Sequence, residues 1–583
     1  MIERKIYQNT WFPYLFILLL CAAYSYRLLD YENVYASALA ADSTSHIGNN
    51  YDYCTTGFMW GETTTDKFYF PTGVDLALNY DQPFLNLITC PVGWLAGPIA
   101  MFNFYSFLQL FLVMAFSWLY ISKHAQNLFI RVSFLFFFGM CGYVQNKLLG
   151  QPNLMSTVWA LPLTFYLFED NTFTSLKKTL IAFLAIGVAL TSAWQNGPNL
   201  FLIVGFFVLR ELFKKEQRLL KFKNIAAGTV LMMFFVLPFV LPMFIARARN
   251  EYMTDLQGIF LYYGDLLSLW VPPFWHWMYP LFSKVVGTYE PYEPSWPERA
   301  MGLDVLLTVL FIYLLIQGLR LKQAWKRIDY LVLGLSYFIL SFGPLLAFGN
   351  YEILYLKYFP WLNQFLPFSM TRTPARYLII VIFVIVAWSL VQLDRQKSKL
   401  PQQTFLFVSV LVAIWSVFQS NLPRQNFRFP VFYYREEFPY DGIQAMQEAP
   451  RDSLIFSLPV TMLPHQFVNF AQMKSDLKLI TGYVSYTLLT QDRLQSVIRN
   501  WGGLANLTCQ PDPVSEGEIK ISTGDPEPIL EEMYQRKIRF ITVQPATTNC
   551  EIIESLVAAF SRSPRVKTYA RGIYKILEIK KAR

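Results

Sequence analysis

Charge is what this chain has least of. Asp, Glu, Lys and Arg together make up 15% of its 583 residues, against about 25% in an ordinary soluble domain. That shortage excludes a wholly water-facing fold. Histidine is scarce, at four residues, and the six cysteines show no zinc-type spacing with one another or with histidine. Lys and Arg outnumber the acids, giving a formal charge of +9. The basic residues stand in short tracts between apolar runs, the pattern of cytoplasmic loops in membrane proteins, so nucleic acid is not implied as a partner. No clear internal repeat appears, and few ionisable residues interrupt the apolar runs.

What the chain has instead is apolar and aromatic mass: 54% hydrophobic residues, 17% aromatic, mean hydropathy +0.31. A helix crosses a bilayer core with about 20 largely apolar residues, and about eleven segments approach that length. They centre on Thr10–Tyr26, Asn103–Ile121, Leu128–Val144, Leu154–Phe168, Thr179–Trp194, Asn199–Leu212, Ile225–Ala246, Leu303–Leu319, Tyr330–Phe348, Tyr377–Leu393 and Thr404–Ser420. Residues 84–102 are apolar but interrupted by Pro91, Gly93 and Pro98, and are expected to form an interfacial or re-entrant helix. Arg4 and Lys5 precede the first segment as in a signal peptide, but no A-x-A-type site follows directly, so it reads as a retained span.

Positive charge orients these spans. With the N-terminus cytoplasmic, the inner connections carry Lys123, His124 and Arg131, then Lys177 and Lys178, then Lys214, Lys215, Arg218, Lys221 and Lys223. Arg320, Lys322, Lys326 and Arg327 follow, then Arg395, Lys397 and Lys399. The opposite set is sparse in Lys and Arg, as the positive-inside rule requires. An odd span count puts the C-terminus outside. The expected architecture is a polytopic α-helical membrane domain over residues 1–420, with a first outer loop at 28–83 and a second at 247–301. Span-length apolar runs cease after Asn421. In residues 421–583, β-type runs (Ser453–Leu458, Leu477–Ile480, Ile538–Val543) alternate with helix-like stretches (Gly442–Glu448, Thr487–Asn500, Pro528–Gln535, Glu551–Ser561). That pattern predicts an outer, periplasmic or extracellular, α/β domain, closed by a strand over 572–580.

Four cysteines then face an oxidising compartment, where disulfides persist. Cys54 and Cys90 lie in or beside the first outer loop, and Cys509 and Cys550 lie in the C-terminal domain. Both are candidate pairs. Cys21 and Cys141 sit in spans as packing residues.

The first outer loop carries the most chemistry. It holds Asp42, His46, Asp52 and Asp75. Asp42 and His46 are four apart, which on a helix puts them on one face. A carboxylate there serves either as a helix cap or solvated loop acid, or as a general base that deprotonates an acceptor hydroxyl. Gln151 and Asn153 occupy the turn between the third and fourth spans, and Gln195 and Asn196 that between the fifth and sixth. Their amides can bind sugar hydroxyls or satisfy loop backbone. The 247–301 loop is rich in Trp, Tyr and Pro, which stack on sugar or lipid or form a membrane belt. His276, between Trp275 and Trp277, reads as structural. Arg372 and Arg376 stand on the outer side against the charge bias. The guanidinium fork fits phosphate oxygens, and loop acids or lipid headgroups are the other partners open to it.

Taken together, Asp42-Ser43-Thr44-Ser45-His46, residues 70–75 (FPTGVD), 91–103 (PVGWLAGPIAMFN) and 150–153 (GQPN) resemble bacterial glycosyltransferases of the GT-C class. Pro297, Glu298 and Gly302, the run 372–376 (RTPAR) and 482–485 (GYVS) continue the likeness. That superfamily includes the dolichyl-phosphate-mannose protein mannosyltransferases. The resemblance implies an inverting, nucleotide-independent transfer of a sugar from a polyprenyl-phosphate carrier to a lipid, glycan or protein acceptor at the outer leaflet. It implies Asp42 as base, with Asp52 in reserve because Ser43 stands where many members have a second acid. His46, Gln151, Asn153, Gln195, Asn196 and Glu298 would bind acceptor or sugar, and Arg372 and Arg376 the departing phosphate. The C-terminal domain would cap the cavity. No cofactor or metal is expected beyond the lipid-linked sugar donor. A flippase of lipid-linked glycans and a non-catalytic scaffold are the readings from other classes. The first calls for midplane charges and inverted repeats, the second for no outer cavity.

Overall fold

The structure is a computed structural model of the chain. It describes residues 11–25, 34–35, 40–55, 64–67, 70–71, 73–75, 82–169, 172–193, 196–248, 311–316, 328–348, 351–362, 373–395, 431–432, 438–458, 466–480, 525–543, 551–571 and 574–582, with positions 266, 309, 407 and 411. The expected span over 303–319 is described only at 309 and 311–316, and that over 404–420 only at 407 and 411; the 247–301 loop is described only at 247, 248 and 266, and the helix expected over 487–500 lies outside the described residues.

The first described helix is α1 (Phe12–Tyr24), an apolar helix with proline in its first turn. The first loop then contributes β1 (Val34–Tyr35), α2 (Ala40–Thr55), β2 (Thr64–Thr65) and β3 (Val74–Asp75). The helix α2 is polar and carries Asp42, His46 and Asp52 on one segment.

Next comes α3 (Pro83–His124), 42 residues long. At 1.5 Å per residue it would measure about 60 Å, twice a bilayer core. It does not run straight. Gly97 has φ 87° and ψ 176°, a conformation that glycine alone adopts freely, and Pro98 brings no N–H to continue the ladder. The break therefore falls between 97 and 98, and residues 99–102 belong to the second half, not to the 84–102 segment drawn from sequence. The first half is two-faced. Leu85, Asn86, Thr89, Cys90 and Gly93 are buried, whereas Ile88, Trp94 and Leu95 are exposed.

The bundle continues with α4 (Leu128–Phe137), α5 (Gly142–Gly150), a 3-10 turn at Pro152–Leu154, α6 (Met155–Phe168), α7 (Leu176–Ser192), α8 (Asn196–Phe213) and α9 (Arg218–Ala248). The apolar run Leu128–Val144 is thus two helices joined by a turn. α7 and α9 pack closely through glycine: a Cβ on Gly228 would stand 2.5 Å from the Phe183 ring. Then come α10 (Ile328–Ser341), the antiparallel hairpin β4 (Leu345–Phe348) and β5 (Tyr351–Tyr355), α11 (Tyr358–Leu362), a 3-10 turn at Pro374–Tyr377 and α12 (Leu378–Arg395). The run Tyr330–Phe348 ends as helix at Ser341 and finishes as strand. α12 is apolar all round and buried almost throughout, so it forms the axis of the bundle. Among the described residues, three helices are long and apolar enough to cross a membrane: Pro83–His124, Arg218–Pro242 and Pro374–Arg395.

The C-terminal part contains β6 (Val431–Phe432), α13 (Tyr440–Glu448), β7 (Leu454–Leu458), α14 (Gln466–Ser475), β8 (Lys478–Leu479), α15 (Glu527–Gln535), β9 (Ile538–Val543), α16 (Glu551–Arg562), β10 (Val566–Arg571) and β11 (Tyr574–Ile579). Five strands make one mixed sheet in the order β10-β11-β9-β7-β8. β8, β7 and β9 are parallel, and β11 and β10 are added antiparallel. Leu454, Ile455, Phe456 and Leu458 of β7 are all buried, as a strand covered on both faces requires. This core does not stop at the domain edge. Ile47, Tyr53 and Cys54 of α2, and Cys90, Ile99, Met101 and Phe102 of α3, belong to the same apolar cluster. β6 pairs with β1, with Val34 opposite Phe432.

Candidate functional site

A chain of buried hydrogen bonds runs from the helical bundle to α2. The indole N–H of Trp159 donates to Gln109 Oε1 at 2.6 Å, and Gln109 Nε2 donates to the Tyr105 hydroxyl at 2.7 Å. That hydroxyl donates to Gln82 Oε1, and Gln82 Nε2 donates to Asn50 Oδ1 at 2.8 Å. Every donor points the same way, from α6 through α3 to α2. All five side chains are buried, where an unmade hydrogen bond would cost about 1–3 kcal/mol.

A second network ties the amide turns together. Ser156 Oγ donates to the Asn153 carbonyl at 2.8 Å and accepts from Asn196 Nδ2 at 3.1 Å. Asn196 Nδ2 also donates to the Ala189 carbonyl at 2.6 Å, and its Oδ1 accepts from Thr157 Oγ1 at 2.5 Å. Asn199 Nδ2 donates to Thr157 Oγ1 at 3.1 Å, and the Tyr337 hydroxyl donates to the Asn199 carbonyl at 2.5 Å. The Tyr337 ring lies 5.8 Å from that of Tyr377, the neighbour of Arg376. One polar skeleton therefore joins α6, α8, α10 and the Pro374–Tyr377 turn. It engages the amide of Asn196 at both ends.

Two cations are buried close in sequence to residues of these networks. Arg376 lies in the 3-10 turn before α12 and is 9% exposed. Lys147, on α5, is 1% exposed, and its ammonium donates to Gln151 Oε1 at 2.7 Å. Sequence reasoning missed Lys147. Its signal was a single Lys in an apolar stretch three residues before the Gly-Gln-Pro-Asn turn.

On α2, Asp42, His46, Asn50 and Cys54 fall in one i, i+4 row, so Asp42 and His46 share a helix face as their spacing predicts. Asn50 of that row meets Gln82, and Cys54 is disulfide-bonded to Cys90, so the Cys54–Cys90 pairing drawn from sequence is present. Asp52 lies about 200° from Asn50 around the helix and points elsewhere. It is buried, and its carboxylate meets Lys67 Nζ at 2.8 Å. Lys67 also meets Asp476 of the C-terminal domain at 3.0 Å. Burial alone would lower the Lys67 pKa, but the Asp52 and Asp476 carboxylates outweigh it and raise the value above the ordinary one. Asp52 is thus separated from the Asp42 and His46 row. Asn86, on the α3 face toward α2, is fully buried with neither amide atom hydrogen-bonded.

Gln195, Glu298, Arg372, Cys509 and Cys550 lie outside the described residues. Among the described residues no group of three His, Cys, Asp or Glu side chains could hold a metal ion. Ion pairs occur elsewhere in the bundle. His124 Nε2 meets Glu169 at 2.5 Å, Arg210 meets Asp329 at 3.1 Å, and the buried Glu211 takes Lys214 at 2.5 Å and Lys221 at 3.3 Å.

The family described as "Domain of unknown function (DUF6311)" matches residues 14–418. The chain belongs to that family. No curated protein matches its sequence. Solved structures show the fold. The arabinofuranosyltransferase AftD from Mycobacteria is similar at a TM-score of 0.55 and 10% identity, over 97% of this chain and 40% of that one. This chain thus spans well under half the length of AftD. ArnT from Cupriavidus metallidurans, solved bound to undecaprenyl phosphate, is similar at a TM-score of 0.50 and 11% identity, over 97% of this chain and 98% of that one. The chain shares its fold with these two solved proteins.

Proposed function

We propose that this protein is a membrane glycosyltransferase that moves a sugar from a polyprenyl-phosphate carrier to a lipid, glycan or protein acceptor at the outer leaflet. The observation that carries the reading is the likeness in fold, along 97% of the chain, to ArnT, a protein solved with undecaprenyl phosphate bound. The site geometry is in keeping with it. A polar helix bearing an acid is fastened to an apolar bundle by a hydrogen bond and a disulfide, and that bundle also buries Lys147 and Arg376. The Cys54–Cys90 bond supports putting α2 on the oxidising side of a bacterial inner membrane, with about eleven spans and the α/β domain on the same side.

In this mechanism Asp42 takes the proton of the acceptor hydroxyl. The freed oxygen attacks the anomeric carbon as the bond to the phosphate oxygen breaks, and the configuration inverts. The leaving group is the carrier phosphate. Lys147, Arg376 and Arg372 offset its charge, as preorganised donors do at other transfer sites. His46, Gln151, Asn153, Gln195 and Glu298 orient acceptor and sugar. Asp52, held by Lys67, keeps a supporting role, and the chemistry calls for no nucleotide, cofactor or metal.

The test is transfer from labelled polyprenyl-phosphate sugars by the purified full chain in lipid nanodiscs. Asp42→Asn should abolish transfer while leaving the thermal unfolding transition in place. Turnover retained by that variant removes Asp42 as base, and a wild type inert toward every such donor removes the reading.

A further inference from the structure

The ion pairs around Lys67 form part of a larger joint between the first loop and the C-terminal domain. β8 is an edge strand of the five-stranded sheet. Its Leu479 N–H donates to the Lys67 carbonyl at 2.8 Å, and its carbonyl accepts from the Phe70 N–H at 3.2 Å. The backbones of Lys67 and Phe70 therefore pair with the sheet edge, as those of an added peptide do in strand addition. Side chains repeat the connection. Lys478 pairs with Asp66, and its ammonium lies 4.9 Å from the centre of the Phe70 ring. Lys67 then reaches in both directions, to Asp52 on α2 and to Asp476 at the end of α14.

We propose that Lys67 is a positioning residue that locks α2, and with it Asp42, to the C-terminal domain. This deepens the proposed function and rests on it only for the catalytic consequence. The helix α2 is gripped from two sides. Asn50 and Cys54 hold it to α3, while on the domain side Ile47 and Tyr53 pack into the apolar cluster and Asp52, about 200° away from Asn50, adds the ion pairs through Lys67. A short helix gripped on one side alone can roll about its axis, and a roll moves the whole Asp42 row. The C-terminal domain is accordingly part of the machinery that sets the base, in addition to any part in choosing the acceptor. Lys67 meets a carboxylate on each side of the joint, Asp52 on α2 and Asp476 of the C-terminal domain. Its Asp52 contact is largely shielded from solvent, where removing one partner leaves a buried charge and costs more than at an exposed surface.

The experiment uses the full chain in nanodiscs and reads two independent quantities. Hydrogen exchange at the Leu479 amide and along α2 reports the joint without reference to activity. In Lys67→Met both should exchange roughly tenfold faster, because the local opening equilibrium shifts. Lys67→Arg should restore protection, and Asp476→Asn should give an intermediate increase. In the transfer assay Lys67→Met should lower kcat and leave the KM for the donor nearly unchanged, with recovery in Lys67→Arg. Unchanged exchange in Lys67→Met overturns the joint. Faster exchange with full kcat overturns the positioning role. A wild type with no transfer, together with faster exchange in the variant, fails the proposed function and leaves the joint standing.

Discussion

Cys54 and Cys90 are covalently joined, and they lie on the facing sides of α2 and the first half of α3, with their Cα atoms 5.4 Å apart. The bond sits one helical turn from the Asn50–Gln82 hydrogen bond, since 50 to 54 is one turn of α2. The two contacts fix both the height and the rotation of the helix that carries Asp42. They also enclose Asn86, whose amide is buried between them.

Replacing both cysteines by serine removes a cross-link that closes a loop of 36 residues. Chain-entropy arguments put that at about 3–4 kcal/mol of stability. The double variant should unfold at a lower temperature, with the drop matched by wild type kept in reductant. Equal melting of variant and oxidised wild type would count against the clamp.

Gln109 is the middle of the buried chain and has a partner on each side, Trp159 and Tyr105. Gln109→Leu leaves the Trp159 N–H without its acceptor and the Tyr105 hydroxyl without a donor. A loss of about 1–3 kcal/mol is expected, measured as a shift in the thermal or denaturant midpoint of the full chain. A Trp159→Phe substitution on top of it should cost less than on its own, because the two share one interaction. Strict additivity would show that the bond contributes nothing.

The pH response of the Lys67 joint has a definite sign. Burial opposes its charge, but Asp52 and Asp476 outweigh burial and raise its pKa above 10.5. A group whose folded pKa is raised contributes fully below the unfolded value and loses that contribution as pH climbs through the folded one. The stability gap between wild type and Lys67→Met should therefore stay level from about pH 6 to pH 9 and close only in strong alkali. A gap that closes between about pH 7 and pH 9 would mean that the Lys67 ammonium is not held in this way.

Much of the fold was legible because its physics is local. Apolar runs gave helices at α1, α6, α7 and α12, and the alternating elements after Asn421 gave β7, β8 and β9 nearly to the residue. The misses have physical causes too. Leu128–Val144 and Tyr330–Phe348 are apolar throughout, and hydropathy has no means of registering a turn at 138–141 or a strand at 345–348. The break at Gly97 depends on a backbone angle, not on polarity. β10 was passed over because its residues are mostly exposed and carry no apolar alternation.

The candidate site was legible in parts. Its residue types and their clustering near span ends could be read from the chain, and so could the Cys54–Cys90 pair as one of two options. Lys147 was not, since a single Lys beside an apolar run looks like any span boundary. Asp52 was read alongside Asp42, yet the helix turns it toward Lys67.

The sequence by itself determined that this is a helical membrane protein with an α/β segment at its C-terminus, because burial of apolar surface follows composition and period. It also determined which polar residues stand near the ends of spans. Only the tertiary structure decided how those residues are connected. Asn50 meets Gln82, Lys67 meets Asp476, and the first loop completes the sheet edge of a domain some 400 residues away. Such partnerships are set by where helices cross and strands align, and neither the period nor the composition of any single segment contains that information.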